Sequence, residues 1–141
     1  MKATMEPVQS SNGTPKVNVL VVDDSPDSLL ALEAVLCGTD RNVIKVPSGE
    51  EALKYLLKED VGVILLDIKM SGMDGFETAA TIRERDKTRD VPIIFLTAYN
   101  KDDTDIAKGY LYGGVDYIFK PVVPDILKSK VDVFVELAKR T

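Results

Sequence analysis

Three carboxylates of this sequence stand directly behind strongly apolar segments. Asp23 and Asp24 follow the apolar run at residues 17 to 22, and Asp67 ends the segment VGVILLD at residues 61 to 67. Such segments are typical of buried strands, so the charges at their ends need a reason. The simpler interpretation of Asp23 and Asp24 is a solvated turn with a helix N-cap. The chemical interpretation is a set of oxygen ligands for a hard divalent cation such as Mg²⁺.

A hydroxyl and an ammonium group occupy similar places. Thr97 lies near the end of VPIIFLTA at residues 91 to 98, and Lys120 follows VDYIF at residues 115 to 119. Because the carboxyl ends of parallel strands share one edge of a sheet, we expect these groups to converge with the three carboxylates. Clustered carboxylates raise one another's pKa unless positive charge separates them, and a metal ion with Lys120 would supply that charge. Taken alone, Thr97 could be an ordinary strand-end threonine and Lys120 a surface lysine.

The sequence contains no histidine, which excludes Ser-His-Asp and Cys-His triads and removes the commonest general base. It also contains neither a P-loop nor a Gly-x-Gly-x-x-Gly motif. A carboxylate beside Mg²⁺ can instead attack phosphorus and form an aspartyl phosphate, while an ammonium group and a hydroxyl stabilise the phosphoryl oxygens. Asp67 follows the most apolar strand and should stand centrally in the sheet, so we predict that it is the nucleophile.

The segments that must position these groups alternate between apolar strands and helices. We predict strands at residues 17–22, 42–46, 61–67, 91–98 and 115–119, and helices at residues 26–36, 50–58, 75–85, 102–112 and 124–139. Strands that are apolar throughout are covered on both faces, and helical crossovers make neighbouring strands parallel. The expected fold is α/β: an open, doubly wound, five-stranded parallel sheet with its functional crevice at the carboxyl ends of the strands.

Composition sets further bounds. The 141 residues suffice for one domain, and the net charge of −5 argues against nucleic acid or an anionic membrane as a direct partner. The sequence lacks an apolar run of transmembrane length and a secretory signal pattern, which favours a cytoplasmic location. We expect residues 1–15 to be a flexible leader and residues 16–141 to form the domain. The single Cys37 stands among leucines and a valine, and we interpret it as a small core residue.

Four segments, VLVVDDSPDS, VILLDIKMSGMDGFE, VPIIFLTA and GGVDYIFKP, resemble in order and spacing the signature segments of response-regulator receiver domains of two-component signalling. The resemblance extends over roughly residues 16 to 139. It implies a flavodoxin-like (βα)5 fold with strand order 2-1-3-4-5. It also implies a magnesium-dependent phospho-acceptor, which receives its phosphoryl group from the phosphohistidine of a sensor histidine kinase or a histidine phosphotransfer protein in a phosphorelay.

The resemblance gives roles to the acidic residues. Asp67 resembles the phospho-acceptor. Asp23 and Asp24 resemble the acidic pair that binds Mg²⁺ together with Asp67 and the backbone carbonyl of Lys69, and Mn²⁺ is an expected substitute. The module would catalyse its own phosphorylation and slow dephosphorylation, so it is not a conventional enzyme.

The resemblance also implies a switch. Thr97 resembles the switch hydroxyl, Tyr117 the switch aromatic, and Lys120 the lysine that contacts the phosphoryl group, with a cis peptide bond to Pro121. Phosphorylation would draw Thr97 toward the phosphoryl oxygen, turn Tyr117 inward, and change the surface of the fourth helix, fifth strand and fifth helix. Taken alone, Tyr117 is also compatible with an ordinary core position.

The sequence departs from the family's pattern in the loop behind the acceptor. The family often has proline where this chain has Ser71, although Gly72 and Gly75 remain for the turns of the loop. We therefore expect a slightly looser loop around an intact site. Lys69 and Tyr99 occupy two variable positions that influence access of the hydrolytic water in this family. A long cation and a ring would shield the phosphoryl group, so we expect slow self-dephosphorylation.

The last predicted helix is apolar over about half of its circumference, more than one sheet contact needs. We expect a surplus apolar face centred near Val131 and Val135. That face would pair with a second copy of the chain or lead into a downstream domain of a larger regulator or hybrid kinase. The alternative is a deeper groove on the sheet.

Three other functions remain as alternatives. A phosphohydrolase of the haloacid dehalogenase type needs an aspartate two residues after its nucleophile, where this chain has Lys69. A flavodoxin-like mononucleotide binder needs a phosphate loop rich in Ser, Thr and Gly, whereas DDSPDS would repel phosphate. A degenerate receiver that acts only as an interaction scaffold would not need the complete set of site residues found here.

Overall fold

The chain alternates strands and helices as its sequence predicts. The structure is a computed structural model that describes residues 15 to 98, 108 and 110 to 140. The strands are β1 (Val17–Val22), β2 (Arg41–Val46), β3 (Val63–Asp67), β4 (Ile93–Ala98) and β5 (Asp116–Lys120). The helices are α1 (Pro26–Leu36), α2 (Gly49–Lys58), α3 (Gly75–Glu84) and α4 (Pro124–Lys139). Most of the predicted helix at 102–112 and nearly all of the predicted leader lie outside the described residues, so α4 is the fifth helix of the prediction.

All five strands form one parallel sheet in the order β2-β1-β3-β4-β5. The predicted fold class and strand order are therefore confirmed. In the register of the sheet, Val22 pairs with Leu66, and Asp67 pairs with Leu96. The carboxyl ends of β1, β3 and β4 consequently lie side by side, which brings the predicted polar residues to one edge.

Helices cover both faces of the sheet, and alternate strand residues enter two separate core clusters. Leu20, Leu66 and Phe95 belong to the cluster that lies under α2 and α3. Val21 and Leu65 belong to the cluster that lies under α1 and α4. β3 is buried along its whole length, because it stands between β1 and β4 with helices on both sides. Asp67 is therefore carried by the central strand, as predicted.

The turns at the functional edge carry the expected helix-start signals. The hydroxyl of Ser25 accepts a hydrogen bond of 3.3 Å from the Ser28 amide, and Pro26 is the first residue of α1. At the start of α3, Asp74 and Glu77 form a reciprocal capping box. Away from this edge, Gly113 precedes β5 with a φ of +82°, a conformation that favours glycine.

Two predictions about apolar residues are wrong. Cys37 is exposed rather than buried, because α1 ends at Leu36 and the thiol lies at the C-cap, beyond the face that contacts the sheet. Val131 and Val135 are fully buried against the sheet and are not the centre of a surplus face. The surplus apolar face of α4 exists on its other side, where Ile126, Val133 and Leu137 are 49%, 56% and 53% exposed.

Within the part of the chain that the structure describes, every helix is too short or too polar to cross a membrane.

Candidate functional site

The first carboxylates of the site are held at the end of β1. Asp23 is 1% exposed, and its amide donates a hydrogen bond of 3.3 Å to the Val46 carbonyl, which extends the pairing with β2 by one residue. Its Oδ1 accepts a hydrogen bond of 2.9 Å from the Ser25 amide, so the turn into α1 fixes the side chain. Asp24 is the next residue, and its side chain is exposed. β1 thus delivers one buried and one exposed carboxylate to the same edge.

A lysine joins the ends of β1, β3 and β5. The Lys120 ammonium lies 2.9 Å from Asp67 Oδ2 and 3.3 Å from Asp23 Oδ2. The peptide bond between Lys120 and Pro121 is cis, as the family resemblance implied. The ammonium therefore stands between two buried carboxylates, as the sequence predicted for an edge where charges of both signs converge.

The electrostatics of the pair follow from burial. Desolvation raises the pKa of Asp67 above its ordinary value; Lys120 opposes this shift and the neighbouring Asp23 adds to it. Burial by itself lowers the pKa of Lys120, but its hydrogen bond and charge interactions with Asp67 and Asp23 outweigh burial and raise that pKa. The ammonium is thus firmly charged at neutral pH and is a fixed cation in the site.

The three carboxylates can act together as metal ligands. Asp23, Asp24 and Asp67 each offer an oxygen atom, and these atoms all lie within 4.8 Å of one another. Three carboxylates against one ammonium leave two formal negative charges in excess, which matches a divalent cation. Hard oxygen donors of this kind suit Mg²⁺ or Mn²⁺ rather than a soft metal. The donor set fits the predicted ion, while the Lys69 carbonyl stays a prediction.

Thr97 lies beside these groups near the end of β4. Thr97 is only 5% exposed, and its hydroxyl donates a hydrogen bond of 3.3 Å to the Ala98 carbonyl. In the sheet register Thr97 is one residue beyond Leu96, the partner of Asp67, and the following Ala98 pairs with Lys120. The hydroxyl therefore belongs to the row of residues that forms the functional edge.

Tyr117 lies inside the protein, below this edge. Its side chain is 5% exposed, and its ring centroid lies 5.8 Å from that of Phe95 and 5.3 Å from that of Tyr110. The ring is already in the inward position that the switch hypothesis expected after phosphorylation. The core interpretation of Tyr117 is thus compatible with the structure, and its switch role stays a prediction.

The two predicted modulators of hydrolysis have different outcomes. Lys69 is exposed two residues after Asp67, and its amide donates a hydrogen bond of 3.2 Å to Asp67 Oδ1. The shielding of Asp67 by the Lys69 side chain stays a prediction. Tyr99 lies outside the described residues.

The structure adds two residues whose importance the sequence did not reveal. The amide and hydroxyl of Ser71 donate hydrogen bonds to Asp24 Oδ2 at 2.9 and 3.3 Å. Gly75 lies against the backbone of Asp67 and Ile68, where an added Cβ would overlap the Asp67 carbonyl oxygen and come within 2.7 Å of the Ile68 Cα. Sequence analysis noted Ser71 as a departure from the family's proline and Gly75 as a turn residue of the loop, but neither signal predicted these contacts.

Comparisons with known proteins agree with this geometry. A family model described as the response regulator receiver domain matches residues 19 to 132. A probable cyclic di-GMP phosphodiesterase of Vibrio cholerae is 38% identical over 113 residues, which cover 80% of this chain and 25% of that protein. Protein PilH of Pseudomonas aeruginosa is 31% identical over 114 residues, which cover 81% of this chain and 93% of that protein.

The structural comparison gives the same result. A solved signal receiver domain of a signal transduction histidine kinase from Syntrophus aciditrophicus matches with a TM-score of 0.80 at 30% identity, covering 89% of this chain and 94% of that chain. The chain spans about a quarter to a half of the length of several curated relatives that it matches. Because the family model covers residues 19 to 132, this chain belongs to the response regulator receiver domain family.

Proposed function

We propose that this chain is a phospho-accepting receiver that takes a phosphoryl group onto Asp67 from the phosphohistidine of a sensor histidine kinase or a histidine phosphotransfer protein in the cytoplasm. The observation that carries the proposal is the position of Lys120, whose ammonium contacts both Asp67 and Asp23 within 3.3 Å beside a third carboxylate. A fixed cation and an acidic cluster around one central carboxylate suit phosphoryl capture better than proton transfer or nucleotide binding.

The transfer would be a nucleophilic displacement at phosphorus. An Asp67 carboxylate oxygen forms a new bond to phosphorus, the bond between phosphorus and the donor imidazole nitrogen breaks, and its electron pair stays on that nitrogen. The Lys120 ammonium, now at Asp67 Oδ2, would bind a phosphoryl oxygen and neutralise its charge. The Lys69 amide, which contacts Oδ1, would keep the carboxylate oriented.

The acidic residues would complete the site. Asp23, Asp24 and Asp67, with the Lys69 carbonyl, would hold Mg²⁺, and Mn²⁺ would substitute for it. The bound ion would add positive charge next to the phosphoryl oxygens. Asp23 is already oriented by the Ser25 amide, so little side-chain rearrangement is needed on that side of the site.

Phosphorylation would be read out through β4 and β5. Among the described residues, the Thr97 hydroxyl donates only to the Ala98 carbonyl at 3.3 Å, a long hydrogen bond that can be exchanged for one to a phosphoryl oxygen. The ring of Tyr117 packs against the ring of Phe95, its partner residue on β4. A shift of β4 would therefore change the packing of the Tyr117 ring. The affected surface would include the predicted fourth helix, β5 and α4, whose exposed Val133 suits a second copy or a downstream domain.

Larger relatives support a role as one part of a larger regulator or hybrid kinase. The matched region makes up 25% of the Vibrio cholerae relative and 53% of a Streptomyces coelicolor transcriptional regulatory protein. By contrast, it makes up 93% of PilH, which shows that receivers of this size also occur with little else. A histidine must come from the donor in either arrangement, since this sequence has none.

The test uses beryllofluoride, a phosphoryl analogue, with Mg²⁺. In the wild-type chain, the mixture should shift the backbone amide resonances around Asp67, Thr97 and Tyr117 and change tyrosine emission, which no tryptophan obscures. Asp67→Asn should abolish the response. Asp60→Asn is the matched control, because its carboxylate is 98% exposed and should not affect the response. A response that survives in Asp67→Asn would overturn the proposal.

A further inference from the structure

We propose that Ser71 is a positioning residue that pre-orients the metal ligand Asp24, an inference that rests on the proposed magnesium site. Ser71 stands in the loop between β3 and α3, 47 residues from Asp24 in sequence. Its amide and its hydroxyl both donate to one oxygen, Asp24 Oδ2, at 2.9 and 3.3 Å. The loop behind the acceptor is thus tied directly to the end of β1.

Asp24 needs such support more than the other two carboxylates do. Asp23 and Asp67 are buried, and each is already held by a backbone amide and by Lys120. Asp24 is exposed, and among the described residues Ser71 alone donates hydrogen bonds to its side chain. Without Ser71 the Asp24 side chain would be free to rotate in solvent, and a metal ion would have to order it on binding.

The geometry of the contact favours metal binding rather than opposing it. Both donors converge on Oδ2, and no described residue donates to Oδ1, so one oxygen of Asp24 remains available to a cation. Hydrogen bonds from outside the ligand set commonly orient ligands in this way, and their loss weakens metal binding. The amide donor exists because residue 71 is not proline, the residue frequent at this place in the family. The serine therefore supplies two donors where proline would supply none.

The test compares variants that remove the two donors in steps. Ser71→Thr keeps both donors, Ser71→Ala keeps the amide alone, and Ser71→Pro keeps neither. Losing one solvent-exposed hydrogen bond should weaken Mg²⁺ affinity about threefold in Ser71→Ala, and losing both should weaken it about tenfold in Ser71→Pro. Ser71→Thr should bind like the wild type. Affinities come from titrating the metal-free chain with MgCl₂ and following backbone amide shifts.

Two further measurements separate positioning from a general loss of structure. Thermal unfolding in EDTA reports the stability of each metal-free variant, and the affinity order should hold among variants with unchanged melting temperature. Asp24→Asn in the metal-free protein should move the amide proton shift of residue 71, because that amide would lose its carboxylate acceptor. Ser129 is an exposed serine on α4, so Ser129→Ala is the control. This variant should change neither the Mg²⁺ affinity nor the amide proton shift of residue 71.

The outcomes distinguish this inference from the function on which it rests. If the wild type binds Mg²⁺ and Asp24→Asn weakens binding, but Ser71→Pro binds as tightly as the wild type or more tightly, the positioning role is overturned and the receiver function stands. If the wild type does not bind Mg²⁺, or Asp24→Asn binds it equally well, both proposals are overturned. The expected order, wild type and Ser71→Thr above Ser71→Ala above Ser71→Pro, supports both.

Discussion

Replacing Arg83 with methionine should lower the free energy of unfolding by about 3 kcal/mol. The guanidinium, on α3, donates hydrogen bonds to the carbonyl oxygens of Arg89 at 2.9 Å, Val91 at 2.8 Å and Gly113 at 2.7 Å. Arg83 is half-buried, so the group is partly desolvated while it makes these bonds, and this burial lowers its pKa. A hydrogen bond from a charged donor stabilises by about 1.5–3 kcal/mol when buried, and partial exposure reduces this to about 1 kcal/mol each.

The same helix end offers a matched control. Arg85 donates to one described carbonyl, that of Leu53, at 3.1 Å, so Arg85→Met should cost only about 1 kcal/mol. Arg83→Lys keeps the charge but loses the planar fork of donors, and should cost about 2 kcal/mol. Because Gly113 lies just before β5, which carries Lys120, Arg83→Met should also weaken the beryllofluoride response. Urea unfolding followed by circular dichroism measures all three costs. Equal costs for Arg83→Met and Arg85→Met would refute the reasoning.

Three more results are expected. Gly75→Ala should lower the melting temperature and weaken the beryllofluoride response, because the added methyl group would overlap the Asp67 carbonyl and overpacking costs about 1–3 kcal/mol; an unchanged response would contradict this close approach. A hydrogen bond from Arg41 holds the pKa of Asp40 well below its ordinary value, so this pair stabilises the fold above about pH 4 and the contribution is lost as the pH falls through the folded-state pKa. Urea unfolding between neutral and acid pH should show that loss in the wild type and a smaller loss in Arg41→Met, where the Lys139 ammonium still contacts Asp40 at 2.6 Å. Lys69→Ala should shorten the lifetime of the phosphorylated chain, measured by loss of labelled phosphate, while a wild-type lifetime of only seconds would argue against shielding.

The convergence of the site was predictable because it follows from topology. Once the apolar segments are recognised as parallel strands, Asp23, Asp67 and Lys120 must meet at one edge. In the structure, the carboxylates of Asp23 and Asp67 both lie within 3.3 Å of the Lys120 ammonium. Side-chain periodicity also predicted most helix and strand bounds to within a few residues. These features depend on local pattern and chain connectivity, both of which are written in the sequence.

Other features depend on contacts that no local pattern encodes. The prediction that Cys37 is buried was wrong because this residue lies one position beyond the end of α1, where the side chain no longer follows the buried face of the helix. The exposed side of α4 was misplaced because an apolar pattern that covers half of the helix does not tell which part contacts the sheet. Arg83 carried no signal, since its acceptors are backbone carbonyls whose identity is the same for every residue type.

The position of Lys120 has a consequence for the repulsion between the buried carboxylates of the proposed metal site. Its ammonium lies between the carboxylates of Asp23 and Asp67. The positive charge of Lys120 therefore reduces the repulsion between these two carboxylates without a metal ion. Under the proposed function, we expect the chain to fold without Mg²⁺, so that loss of the ion would stop phosphoryl transfer without unfolding the protein.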